Sequence, residues 1–172
     1  MRDHQGVLNL PSAGLVGAVD RLALTTGSNP VPRHKVSMGY RYEPDKFTVS
    51  GLTPVPSEEV RPPRFAECPV QLEAAVEEIR PMAKNDRHML IPVVTVEARI
   101  VRVHVDDSIL LYGTSDRIDP EKWRPLNMSF RQFFDLGPLL QSSRLSHFPE
   151  EIFAPPKETP KRTDSMQEAT SS

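Results

Sequence analysis

The chain has 172 residues, 38% apolar and 26% charged, with 21 Lys and Arg against 23 Asp and Glu. That balance suits one globular domain with a polar appendage, and it leaves no concentrated basic patch for nucleic acid. A single cysteine, Cys68, excludes an internal disulfide and a cysteine-rich zinc site. The first thirty residues lack a basic segment followed by an apolar core, and no apolar run nears the ~20 residues of a membrane span. The expected setting is therefore soluble, reducing and cytoplasmic. The 18 prolines, roughly twice the usual usage of ~5%, argue against a helical bundle and for short elements between fixed turns.

A short apolar run, Val7 to Leu10, opens the chain as a strand. Pro11 and Ser12 then introduce a helical pattern in which Leu15, Val19, Leu22 and Ala23 share one face. Ser12 is the expected N-cap of that helix and Gly27 its stop. The next stretch is rich in turn formers. It predicts a short helix near Glu43 to Val49 and an extended connection anchored by Tyr40, Tyr42, Phe47 and Phe65.

"CPVQLEAAVEEI" presents a conflict. Leu72, Ala75, Val76 and Ile79 follow helical spacing, while Val70, Leu72, Ala74 and Val76 alternate as in a strand. Local propensity favours helix by a small margin. Further on, Val94, Val96, Ala98 and Ile100 alternate with polar residues, and the apolar set then moves to Val101, Val103 and Val105. A one-residue slip reverses the inward face, and a β-bulge absorbs it while bending the strand. Such a strand suits a small barrel. Asp119 and Pro120 predict a helix start, and Trp123, Phe130, Phe133, Phe134 and Leu136 supply apolar mass. The stretch from Ala154 to Ser172 is nearly devoid of apolar residues and is expected to be disordered.

Catalytic signatures are sparse. The five histidines (His4, His34, His88, His104, His147) have no zinc-ligand spacing, and phosphate-loop, dinucleotide and nucleophile-elbow motifs are absent. The adjacent carboxylates Glu58/Glu59, Glu77/Glu78 and Asp106/Asp107 point to opposite faces if they lie on strands. Cys68 reads either as a reactive thiol or, more commonly for a free cysteine, as a buried small hydrophobe. His88 comes just after the turn "KND". It reads either as an exposed or capping side chain or as a group at a barrel mouth, where small ligands bind.

Four blocks in order, "LNLPSAGLVGAVDRLALTTG", "DKFTVSGLTPVPSEEVRPPRFAECPVQLEA", "VVTVEARIVRVHVDD" and "DRIDPEKWRPL", resemble the flavin reductase-like FMN-binding family. The branch they resemble is that of the reductase components of nitrilotriacetate-type monooxygenases, and the likeness runs from Gly6 to Phe153. It implies a mainly β fold with helices, a split β-barrel with Greek-key connections, and a homodimer. It also implies that "CPVQLEAAVEEI" is a barrel strand. Non-covalent FMN, NAD(P)H as co-substrate and a flavin-dependent monooxygenase as partner are implied by the same likeness.

By that resemblance His88 matches a histidine beside the flavin and nicotinamide, although here the turn "NDRH" has an added residue. Asn9 matches an asparagine of the first block, and Lys46 and Phe47 match a pair at the pocket rim. Complete members carry several strands, with much of the flavin contact surface, ahead of the block with which this chain opens. Residues 1–153 are therefore expected to be a partial domain and 154–172 a polar tail. The resemblance leaves two functional expectations: a flavin reductase-like protein, or a non-catalytic remnant or dimerisation module of the same fold.

Overall fold

A computed structural model describes residues 4–82 and 93–147. His88 and the tail from Ala154 lie outside the described residues. The chain divides into two compact units, Met1–Pro138 and Leu139–Ser172. The described part of the second holds a 3-10 turn, Arg144–His147, where the Leu145 N–H donates to Ser143 Oγ at 3.1 Å. The strands and α-helices among the described residues belong to the first unit.

The opening apolar run is strand β1 (Gln5–Leu10). The helix expected from Ser12 to Gly27 is shorter: a 3-10 turn, Ala13–Leu15, leads into α1 (Val16–Leu22). Ser12 makes no side-chain capping bond. Instead, its segment pairs with the stretch around Pro125, Ala13 N–H donating to the Arg124 carbonyl and Leu126 N–H to the Pro11 carbonyl, both at 2.9 Å. The helix stops early because Thr25 Oγ1 donates to the Leu22 carbonyl at 2.6 Å and Leu24 takes a left-handed φ of 55°. That conformation cannot continue an α-helix. The chain leaves as β2 (Thr25–Thr26) and passes through α2 (Arg33–Val36) to β3 (Arg41–Tyr42), which runs parallel to β2.

The helix expected near Glu43 to Val49 is α3 (Lys46–Ser50). Asp45 caps it, accepting from Thr48 N at 3.0 Å and from Thr48 Oγ1 at 2.6 Å. These bonds hold the Asp45 carboxyl below its ordinary range. Gly51 ends the helix at φ 71°, the left-handed closure that glycine adopts without strain. The proline-rich connection is pinned by an antiparallel pair, β4 (Pro54–Val55) with β5 (Arg64–Phe65).

The ambiguous segment is a strand, β6 (Val70–Met82), between β1 and the long β7 (Val93–Val105), antiparallel to both. Pairing on both edges and burial of Val70 and Ala74 override its local helix preference. The slip in β7 is a bulge. Glu73 pairs with Arg102 and Ala74 with Ile100, so Val101 is the extra residue. It keeps Val94, Val96, Ala98 and Ile100 on the same face as Val103 and Val105. A second bulge lies on β6, where Val76 pairs with Ala98 and Glu78 with Glu97, leaving Glu77 over. The sheets are not closed: β1–β6–β7 is an open three-stranded sheet, and the remaining pairs are two-stranded.

After a 3-10 turn, Asp107–Ile109, Asp119 and Pro120 begin one turn and no helix. Asp119 Oδ1 accepts from Glu121 N at 2.9 Å, and the chain then straightens to pair with the Ser12 segment. β8 (Asn127–Ser129) and β9 (Gln132–Phe134) form a hairpin closed by Phe130 and Arg131, both left-handed at φ 48° and 64°. Phe130, at the tip of this two-residue turn, is 96% exposed, and Phe134 and Leu136 are about half exposed. These side chains do not supply the apolar core expected of them. Among the described residues the buried apolar ones are Ala18, Leu52, Val60, Cys68, Val70, Ala74 and Ile109. Among the described residues no helix is long and apolar enough to cross a membrane.

Candidate functional site

The corner where α1, α3 and the β2–β3 pair meet is tied by cations. Arg21, in the last turn of α1, crosses to the end of α3, where Nε donates to the Ser50 carbonyl at 3.1 Å and Nη2 donates to the same oxygen. Lys46 Nζ donates to Thr25 Oγ1, the hydroxyl that also stops α1. Backbone bonds from Arg41 N to the Leu24 carbonyl at 3.0 Å and from Glu43 N to the Thr26 carbonyl at 2.8 Å set β3 alongside. Between these elements lies a hollow of about 490 Å³ lined by Arg21, Ala23, Leu24, Gly39, Arg41 and Val49. Burial lowers the Lys46 ammonium from its ordinary value, Glu43 pulls it back up, and Arg41 and Lys35 lower it further.

Asn9, Lys46 and Phe47, the residues singled out from the sequence, fall on two sides of α3. Asn9 Oδ1 accepts from Phe65 N at 3.0 Å. Gln71, paired with Asn9 across the sheet, donates from Nε2 to the Phe65 carbonyl at 2.9 Å. Phe65 is thereby clamped at both backbone polar groups, and its ring meets that of Phe47 with centroids 4.5 Å apart. Asn9 and Phe47 thus join through Phe65, fastening α3 to the sheet, while Lys46 reaches the Thr25 hydroxyl. Tyr40 has Lys35 Nζ 5.4 Å from its ring centroid, and Tyr42 is exposed.

A second polar centre is not legible in the sequence. Glu73 on β6 is fully buried. Its carboxylate accepts from the backbone N–H groups of Glu58, Glu59 and Val60 at 2.9, 2.7 and 3.1 Å, and meets His104 Nε2 at 2.7 Å. Arg64 Nε stands 3.7 Å away. Burial alone would raise the Glu73 pKa. The three N–H donors and His104 outweigh it and hold the carboxyl down to about 2. The connection that carries Glu58 to Val60 is thus fixed over the polar face of the sheet. Beside it a hollow of about 250 Å³ is lined by residues including Arg64, Cys68, Gln71 and His104. Burial, with Glu67 nearby, pushes the Cys68 thiol up to about 11. At neutral pH the thiol is therefore protonated and a poor nucleophile.

Arg21, Arg41, Glu73 and His104 all escape sequence reasoning as a set. Glu73 and His104 stand 31 residues apart, and only the strand register brings them together. The signal present was a charged residue at a polar-face position inside each alternating run. Among the described residues no group of three or more His, Cys, Asp or Glu side chains gathers as a metal site would require.

No family model matches the sequence. The chain is similar to the uncharacterized protein YdfE of Bacillus subtilis (strain 168), 36% identical over 136 residues, covering 79% of this chain and 62% of that protein. Among solved structures it is similar to nitrilotriacetate monooxygenase component B from Bacillus cereus, with a TM-score of 0.59 at 19% identity, covering 82% of this chain and 61% of that one. Flavoredoxin of Desulfovibrio vulgaris (Miyazaki F) gives a TM-score of 0.59 at 23% identity, covering 83% and 64%. An FMN-binding domain of a flavin reductases-like enzyme from Shewanella baltica OS155 gives 0.51 at 13% identity, covering 81% and 64%. The chain thus spans less than two thirds of the length of each of these proteins. An open sheet with a bulged central pair, short helices at one corner and this likeness over four-fifths of the chain agree: the chain has the flavin reductase-like split-barrel fold.

Proposed function

We propose that this chain is part of a flavin reductase-like protein that binds FMN without a covalent bond, reduces it with NAD(P)H, and hands the reduced flavin to a monooxygenase. The observation that carries this reading is the fold shared with an FMN-binding, flavin reductases-like domain and with a monooxygenase component. A bound flavin supplies the two-electron chemistry by accepting hydride from the nicotinamide. The chain's own residues supply binding and orientation.

The residues present fit such a group in part. Lys46 is a cation with Glu43, Arg41 and Lys35 around it, and its ammonium is suited to a phosphate. Asn9 has committed its carbonyl to Phe65, so its amide nitrogen is the group left to donate to a ligand. Phe47 has one side against Phe65, so its role is to hold the rim. His88 remains the proposed group beside the nicotinamide. The domain is proposed to run over residues 1–153 with a polar tail after it, in the cytoplasm.

The test is an FMN titration of the purified chain, followed by flavin fluorescence and then by turnover with NADH and NADPH. Saturable quenching with turnover is the expected result. A folded chain that quenches no flavin would sink the reading.

A second reading, a dimerisation module without catalysis, is favoured by one observation. The apolar face of the open sheet leaves Leu8, Ile79, Val96, Ile100 and Val103 between 42% and 53% exposed. A second copy would cover that face. Sedimentation separates the two: a dimer that binds no flavin supports the module, and a dimer that binds flavin supports the reductase.

A further inference from the structure

We propose that the hollow between Arg21 and Arg41 is a seat for a phosphate monoester, the dianionic end of a phosphorylated cofactor or co-substrate. The hollow is lined by two arginines and by no acidic residue. The two are held differently. Arg21 is fixed by its bonds to the Ser50 carbonyl, which orients the planar fork. Arg41 is exposed and has no ion-pair partner among the described residues. Some exposed arginines of the unit sit against carboxylates, as Arg99 does with Glu77 and Arg102 with Glu58, at 2.8 and 2.7 Å; Arg41 is one of those that do not. Lys46 feels the charges of Arg41 and Lys35, with Glu43 also within reach of it.

The backbone under the hollow is also unusual. Leu24 is left-handed at φ 55° and Gly39 at φ 85°, and both line it. For leucine that conformation is strained, and strain of this kind persists where surrounding structure holds it and concentrates at ligand sites. Here it is held by the Arg41 N to Leu24 carbonyl bond and by Thr25, which is also the anchor of Lys46. A volume of about 490 Å³ admits a phosphate with its ester carbon and part of the group attached to it. Guanidinium forks match phosphate oxygens in geometry as well as charge.

The identity of the ester rests on the proposed flavin function, under which two sources share this chemistry: the phosphate of FMN and the 2′-phosphate of NADPH. The seat itself does not. The test uses the whole chain and an Arg41→Ala variant, since Arg41 is exposed and its loss spares the Arg21 tie. Inorganic phosphate is titrated while the backbone amides of Leu24, Gly39 and Arg41 are followed by NMR, with sodium chloride at matched ionic strength as control. Saturable shifts at these amides, weakened about tenfold or more by Arg41→Ala, are expected. No shift beyond the chloride control, or shifts indifferent to Arg41→Ala, would overturn the proposal.

FMN against riboflavin and NADPH against NADH then identify the source. The pair whose phosphorylated member loses its advantage in Arg41→Ala is the one that uses the seat. Phosphate bound in the hollow with no flavin bound anywhere would sink the flavin reading and leave the seat standing. Flavin bound with no phosphate response in the hollow would do the reverse.

Discussion

Two regions of this unit gather charge, and they treat it in opposite ways. Around Glu73 a buried carboxylate is met by three backbone N–H groups and a histidine, so the charge is compensated inside the molecule. Around Arg21 and Arg41 the cations outnumber their partners, and the surplus faces an open hollow. A buried charge without partners would cost several kcal/mol, so the first arrangement is what allows Glu73 to hold the connection over the sheet. An exposed surplus costs little and is free to meet an outside anion. The contrast separates charge that builds the fold from charge offered to a ligand.

The largest effect should come from removing the compensated carboxylate. Glu73→Ala orphans three backbone donors and should destabilise the unit by about 3 kcal/mol or more, read as a lower urea midpoint. A midpoint within error of the parent would collapse the comparison. Acid should act on the same group. The Glu73 pKa falls from an ordinary 4.5 to about 2 in the folded state. Its contribution is therefore fully present above pH 4.5 and is lost as the pH falls towards 2. A Glu73→Gln variant should lack that part of the acid dependence, and identical acid transitions would remove the linkage.

A smaller effect is expected at Gly51, where φ is 71° and an added Cβ would stand 3.4 Å from Arg21 Nη2. Gly51→Ala should cost about 1 kcal/mol, and it tests the tie that orients the hollow. Smallest is Arg41→Ala, expected to change stability by no more than about 0.5 kcal/mol. A large loss there would mean that Arg41 serves the fold, and the contrast would fail from the other side.

The strand slip after Ile100 is legible because alternation is a local property, and the bulge falls at the next residue, Val101. The bulge at Glu77 is not, since Glu77 and Glu78 are both polar and leave no break in an apolar pattern. β6 reads as helix by local propensity and as strand only by resemblance, because what decides it is its partners on both edges. The first helix ends sooner than its spacing implies because Leu24, an ordinary helix former, sits in a left-handed conformation that no spacing announces. Asn9, Lys46 and Phe47 are marked by resemblance, and the structure divides them between a fastening of α3 to the sheet and a bond to the Thr25 hydroxyl. His88 lies outside the described residues. Glu73 with His104, and Arg21 with Arg41, depend on pairings between distant segments, which one sequence does not display.

The bulge at Val101 has a consequence for deletion. Pairing is Glu73 with Arg102 on one side and Ala74 with Ile100 on the other. A chain lacking Val101 would therefore retain every cross-strand partner and every facing direction, losing only the local bend. Deleting a residue from the middle of a strand ordinarily turns the rest of it inside out. Here it would leave a straighter strand with the same neighbours, so curvature could be varied while pairing is held constant.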